Sequence, residues 1–329
     1  MSWNRLRRLL TPQPLITVSA DPDDPRLGDL LRSADHLEEA HGATCVVLGV
    51  PQHVGVERNG GRPGAAEGPA AIRQWLRKMA TSAMIDAVRT QHLTVIDAGD
   101  LQTEGKTLQQ IHDEQHDAVQ EILEHGMIPI VLGGGHDIAW PTIRAMDACS
   151  TSFGVLNIDA HADVRPLKDG GLAHSGSPFR QMLETDITHL ASGAFVEFGL
   201  QHHAVAAAHV QYVRDHGHTV MMLNDIRQEG LSSSWSAVVS KLERADHWYV
   251  SLDLDGFASA FAPGVSAPSA DGFAPWDIGP ALRSMAARPQ FTAFDVVELN
   301  PAFDVDGRTA KLAAAMIMEV IAGVASRGA

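Results

Sequence analysis

Apolar, β-branched runs recur along the chain and alternate with stretches of helical spacing. The runs 44–50 (TCVVLGV), 93–97 (LTVID), 128–132 (IPIVL), 153–159 (FGVLNID), 194–199 (AFVEFG), 219–223 (TVMML), 248–254 (WYVSLDL) and 291–298 (FTAFDVVE) read as strands. Between 107 and 125 (TLQQIHDEQHDAVQEILEH), Leu108, Ile111, Ala118, Ile122 and Leu123 fall on one helical face, and Gly126 supplies the stop. Strands this short and apolar on all sides are covered by helices on both faces. The pattern therefore predicts an α/β fold, a three-layer α/β/α sandwich with a mainly parallel sheet of about eight strands. No Gly/Ser or Pro-rich linker divides the chain, so residues 1–329 read as a single domain with 1–40 as an N-terminal arm.

Composition narrows the function classes. A formal charge of -15 repels nucleic acid and anionic membranes, so neither is an expected partner. Two cysteines, Cys45 and Cys149, are too few for a disulfide framework or a thiolate zinc site and suit a reducing compartment. Pro12 and Pro14 interrupt the apolar stretch near the N-terminus, which fails as a signal peptide or membrane span. A soluble, cytoplasmic protein is expected.

Three of the apolar runs end in metal-ligand chemistry: His136 in GGGHD, Asp159, His161 and Asp163 in NIDAHADVRP, and Asp253 and Asp255 in SLDLDG. Steps of two along a strand end send side chains to one side, so each acidic segment can present its ligands to one point. Gly133, Gly134 and Gly135 let the backbone turn sharply ahead of His136. Open parallel sheets place their sites at such strand ends. Four carboxylates crowded without a cation would repel one another, whereas a mixed oxygen and nitrogen donor set suits manganese, with cobalt, nickel or zinc able to compete. The other histidines singled out, His112, His116, His189, His202, His203 and His209, read as surface or helix-face residues.

With those motifs in hand, the chain resembles the ureohydrolases of the arginase and agmatinase superfamily. The likeness runs from GVERNGGRPGAAEGPAAIR, ending at Arg73, through GGGHD, DAHADVR, SLDLD and APGVSAP (262–268) to DVVELNP (295–301). It implies two Mn2+ ions, one held by His136, Asp159, Asp163 and Asp253 and the other by Asp159, His161, Asp253 and Asp255, with attack on an amidine or guanidine carbon by a bridging hydroxide. It further implies that Asp163 moves the nucleophile's proton to the leaving amine, that Glu298 binds the cationic amidine nitrogens, and that the protein is a homo-oligomer.

Departures from the arginase pattern bear on the substrate, which is expected to be a small amidine. The family's H-G-x-P histidine aligns with Ser175 in GLAHSGSPFRQ (171–181), with His174 one place earlier, so the usual proton shuttle is absent at that position. GVSAP (264–268) replaces G-T-G-T-P, and Ala258-Ser259 replaces Asp-Pro. The combination resembles formimidoylglutamases, which cleave N-formimidoyl-L-glutamate to L-glutamate and formamide in histidine breakdown. Two carboxylates on that substrate call for cations: Arg165 can bind one bidentately, and Arg180 is the candidate for the second. Two alternatives stand beside this reading. One is a ureohydrolase acting on a guanidino acid or amine and releasing urea, against which Asp137 and Ser175 speak; the other is a catalytically silent metal-binding homologue.

Overall fold

The computed structural model describes residues 3–19, 21, 23–40 and 42–328; of the segment read as an arm, residues 1, 2, 20 and 22 lie outside the described residues. All eight apolar runs are strands. In chain order the strands are β1 (Leu10–Thr11), β2 (Arg32–Ser33), β3 (Ala43–Gly49), β4 (Leu93–Leu101), β5 (Ile128–Leu132), β6 (Phe153–Ile158), β7 (Leu190–Leu200), β8 (Thr219–Met222), β9 (His247–Asp253) and β10 (Phe291–Val297). They form a ten-stranded sheet in the order β1-β4-β3-β5-β10-β9-β6-β7-β8, with β2 also on β4. Every pairing is parallel except β1 with β4.

Successive strand residues divide between two apolar layers, which is why the runs lack polar alternation. Val47, Ile130, Leu156, Val250 and Phe294 face a core shared with the helices Gly68–Leu76, Leu231–Leu242, Pro275–Ala286 and Arg308–Ala325. Val46, Val131, Val155 and Tyr249 face the opposite side, against the helices Leu108–Glu124 and Ala139–Cys149. The Leu108–Glu124 helix begins with a Thr107 and Gln110 capping box, and Gly126 ends it with φ +69°. Its buried face takes in Val119, while Leu123 is only half-buried.

β4 is longer than the apolar run because its polar end is satisfied from within. Arg73, 3% exposed, donates to Asp97 at 3.1 Å, to Asp100 at 2.7 Å and to the Gly99 carbonyl at 3.1 Å, and Arg77 adds a bond to Asp97 at 3.1 Å. The N-terminal segment is held as closely. A short helix, Asn4–Leu9, presents the Arg5 and Leu6 backbone N–H groups to the Glu121 carboxylate at 3.2 and 2.6 Å, a favourable pairing of an anion with a helix start. Trp3 stacks on His125 with 3.8 Å between ring centroids, and Leu6, Leu9 and Leu10 enter the core beside Ile111 and Ala118.

That clasp gives a stability prediction. Leu6→Ala deletes a fully buried side chain and is expected to lower the unfolding free energy by about 2–5 kcal/mol. Urea unfolding measures it, and an unchanged midpoint would show that the segment adds nothing to the core.

Candidate metal centre

Four neighbouring strands, β5, β10, β9 and β6, lie at the point in the sheet where the chain order reverses. Their registers align the carboxyl ends: Leu132 pairs with Val296, Val297 with Asp253, and Leu252 with Ile158. The next residues are therefore brought level, which is how segments far apart in sequence meet. From β5 the chain turns through Gly133, Gly134 and Gly135 to His136. A Cβ on Gly134 would lie 1.7 Å from the Gln52 carbonyl oxygen, so only glycine fits there. Asp163 and Glu298 hold φ of +43° and +67°. Such strained non-glycine backbone concentrates at functional sites.

Two groups of donors result. In the first, His136 Nδ1 lies 3.3 Å from Asp159 Oδ2, 3.0 Å from Asp163 Oδ2 and 3.1 Å from Asp253 Oδ2. In the second, His161 Nδ1 lies 3.1 Å from Asp255 Oδ2 and 3.5 Å from Asp159 Oδ1. All six expected ligands thus converge, and Asp159 belongs to both groups. Asp253 belongs to the first alone, where the family resemblance makes it a second bridge; its Oδ1 accepts the Asp255 N–H at 2.8 Å.

The donor set fits cations better than it fits itself. Ser251 gives its hydroxyl proton to Asp295 at 2.7 Å and so must accept from His136 Nε2, 2.9 Å away. A neutral His136 then turns its Nδ1 lone pair toward three carboxylate oxygens. That buried nitrogen has no hydrogen-bond partner of proper geometry, and neither has Asp255 Oδ1. Adjacent ligands of an octahedral cation with bonds of ~2.1 Å stand about 3 Å apart, which is the spacing found here.

Without a cation, protons must do the balancing. Burial alone would depress His136, but the three carboxylates outweigh it and hold its pKa well above the ordinary value. The Asp255 charge is the largest influence holding His161 above its own. Burial opposes ionisation of Asp159, yet the two histidines keep it below the carboxylate range. Burial, and then the charges of Asp255 and Asp159, push Asp253 up; burial, reinforced by Asp159, pushes Asp255 to about 6. Glu298 rises to about 8 through burial, although the His136 N–H donates to its Oε1 at 2.9 Å.

A pocket of about 260 Å³ opens onto the cluster, lined by Asn59, Arg62, His161, Asp163, Arg165, Ser175, Asp253, Asp255, Ser266 and Glu298 among others. Arg165 and Ser175, expected as substrate contacts, are among its lining residues. Arg180 is not. Its guanidinium lies 3.9 Å from the Tyr212 ring centroid and 2.6 Å from Glu184, one helical turn on, so the expected second carboxylate contact is corrected. His112, read as a surface or helix-face residue, does lie on the Leu108–Glu124 helix, but on its fully buried face, paired with Asp137 Oδ2 at 2.8 Å. His174 uses both ring nitrogens inside its own loop, on the Pro166 carbonyl at 3.0 Å and the Gly176 N–H at 3.2 Å.

Supporting residues went unread. Ser251 and Asn157 each stand two places before an expected ligand, so strand periodicity alone could have flagged them. Asn157 Nδ2 donates to Asp159 at 3.2 Å and to the buried Glu197 at 2.8 Å. Tyr249 donates to Asp295 beside Ser251. Asn59 carried no signal beyond its place in a family block.

Comparison with known proteins agrees with this geometry. The model of the Arginase family matches residues 43–323. A formimidoylglutamase of Ralstonia nicotianae is 33% identical over 320 residues, covering 94% of this chain and 95% of its own. One of Rhodococcus jostii is 34% identical, covering 86% of each. The crystal structure of Trypanosoma cruzi formiminoglutamase with Mn2+2 superposes with a TM-score of 0.83 at 35% identity, covering 93% of this chain and all of that one.

The crowding fixes the sign of a pH effect. Asp255 and Glu298 have folded pKa values of about 6 and 8, above their ordinary 3.8 and 4.5, so the metal-free folded state binds more protons than the unfolded one and loses stability as pH rises through that window. The raised histidines act in the same direction, and depressed Asp159 acts only at lower pH. Metal-free protein should melt lower at pH 8 than at pH 5, and added Mn2+ should raise Tm more at pH 8. Equal Tm increments at the two pH values would contradict this account.

Proposed function

The chain belongs to the arginase family, and on that footing we propose that it is a binuclear manganese hydrolase cleaving N-formimidoyl-L-glutamate to L-glutamate and formamide, within histidine degradation and in the cytoplasm. The observation that carries the substrate is Arg165 on the wall of the pocket that also exposes Asp163, Asp253, Asp255 and Glu298. A guanidinium beside an amidine-binding carboxylate suits a molecule with an amidine at one end and carboxylates at the other. It would repel the terminal amine of agmatine.

His136, Asp159, Asp163 and Asp253 would hold one cation and Asp159, His161 and Asp255 the other, and the pair would supply Lewis acidity that makes water nucleophilic near neutral pH. The chain's own residues do the rest. Glu298, positioned by the His136 N–H, binds the amidinium nitrogens and turns the formimidoyl carbon toward the cluster; the amidinium charge opposes the burial that raises its pKa. Asp163, on the pocket wall, accepts a proton from the attacking water and delivers it to the glutamate nitrogen. The new C–O bond forms at the formimidoyl carbon, the C–N bond to glutamate breaks, and the fragments leave as formamide and the free amino acid. Arg165 grips a substrate carboxylate bidentately, with the Ser175 hydroxyl beside it.

Protein reconstituted with Mn2+ should release formamide from formimidoylglutamate and no urea from arginine, agmatine or 4-guanidinobutyrate; the reverse product pattern overturns the substrate. Glu298→Gln is expected to lower kcat about 10²–10³-fold, the scale for removing one preorganised charge partner, with metal content unchanged. Arg165→Ala should raise KM by about tenfold or more, a loss of at least ~1.4 kcal/mol of binding, again with metal retained. An unchanged KM would remove Arg165 from recognition.

A further inference from the structure

Four consecutive residues, Asn59-Gly60-Gly61-Arg62, line the pocket without taking part in the proposed chemistry. They begin at the last residue of the helix Val54–Asn59, which Gly60 ends with φ +82°. The segment is fastened at both ends. Arg62 sends its N–H to Ser266 Oγ at 2.8 Å, its Nε to the Ser266 carbonyl at 3.0 Å and a further donor to the Val265 carbonyl, and stacks 3.6 Å from the Phe303 ring centroid.

The other end meets the substrate side of the pocket. Asn59 Oδ1 accepts from Arg165 at 3.1 Å, and Asn59 Nδ2 donates to Ser175 Oγ at 3.1 Å. One amide therefore joins two groups carried on different stretches of chain. The backbone makes room for it: a Cβ on Gly176 would lie 2.9 Å from Asn59 Nδ2 and 3.0 Å from Arg165 Cδ. Arg165 N–H also donates to the Gly176 carbonyl at 2.8 Å, and Ser175 N–H to Gly55 at 3.0 Å.

Arg165 is solvent-exposed, and a free arginine side chain loses much rotamer freedom when it binds a ligand. A neutral amide can hold it without cancelling its charge, and occupies one of its five N–H donors. A carboxylate at position 59 would hold Arg165 as well but would neutralise it and repel an anionic substrate.

We propose that Asn59 is a specificity-determining positioning residue, whose amide presets Arg165 and Ser175 to receive a substrate carboxylate. The proposal rests on the formimidoylglutamate reading for the identity of that carboxylate. Its test is a double-mutant cycle on the manganese-reconstituted protein with Asn59→Ala, Arg165→Ala and both, read as KM and kcat for formimidoylglutamate and as Kd for L-glutamate by calorimetry. Asn59→Ala is expected to raise KM and Kd about tenfold with kcat within about twofold, and to add nothing in the Arg165→Ala background. Asn59→Asp should raise KM at least as much as the alanine variant.

Additive effects, or rescue by Asn59→Asp, would show a merely structural contact and overturn the proposal. Asn59→Ser, too short to reach either partner, replaces the alanine variant if that one fails to fold. Turnover of formimidoylglutamate without coupling removes the role of Asn59 alone. Coupling in glutamate binding without turnover keeps Asn59 and removes the substrate reading, and absence of both removes both.

Discussion

Mutual repulsion among buried carboxylates is the constraint around which this molecule is arranged. Asp159, Asp253, Asp255 and Glu298 are each no more than 5% exposed and meet at the ends of four adjacent strands. In a low-dielectric setting such a cluster is tolerable only with compensating positive charge. The parallel registers, the glycine turn before His136 and the strained backbone at Asp163 and Glu298 all hold these groups together against that repulsion. Among the described residues two histidines stand inside the cluster, and the carboxylates around them hold both above their ordinary pKa, the same charge imbalance that divalent cations would relieve.

Much of this was legible because it follows from local rules. A strand covered on both faces must be apolar throughout, so all eight principal strands announced themselves, β5 with the same bounds as its sequence run. The Asp159, His161 and Asp163 series and the Asp253 and Asp255 pair were readable from their place after apolar runs, but strand alternation does not carry them: β6 ends at Ile158, Asp163 has φ +43° and Asp255 lies in the turn after β9. What escaped depended on partners far away in sequence. The polar end of β4 extends because Arg73 and Arg77 satisfy it from a preceding helix. The two-residue strands β1 and β2 carry no periodicity. His112 sits on a helix whose apolar spacing gave no hint that Asp137 waits opposite, and Arg180 was read as a ligand-binding cation when Glu184 and Tyr212 already occupied it.

The same separation explains why the reaction was easier to read than the substrate. Reaction type resides in strand ends, whose geometry is dictated by the sheet. The recognition proposed above would rest on Asn59 at a helix end and on Arg165 and Ser175 in the segment after β6, which meet only through the tertiary fold. No single window of sequence encodes that meeting.

Because exposed Arg165 lies only two residues beyond Asp163, which stands against buried His136, the pocket has an outer layer, its rim, and an inner one, its floor, that can vary separately. On the proposed reading, changes at the rim would alter which acid is recognised without disturbing the charge balance underneath. A lineage built on this sheet can therefore vary the rim while inheriting the floor intact, because the floor's carboxylates repel one another and tolerate no loss of the groups that compensate them.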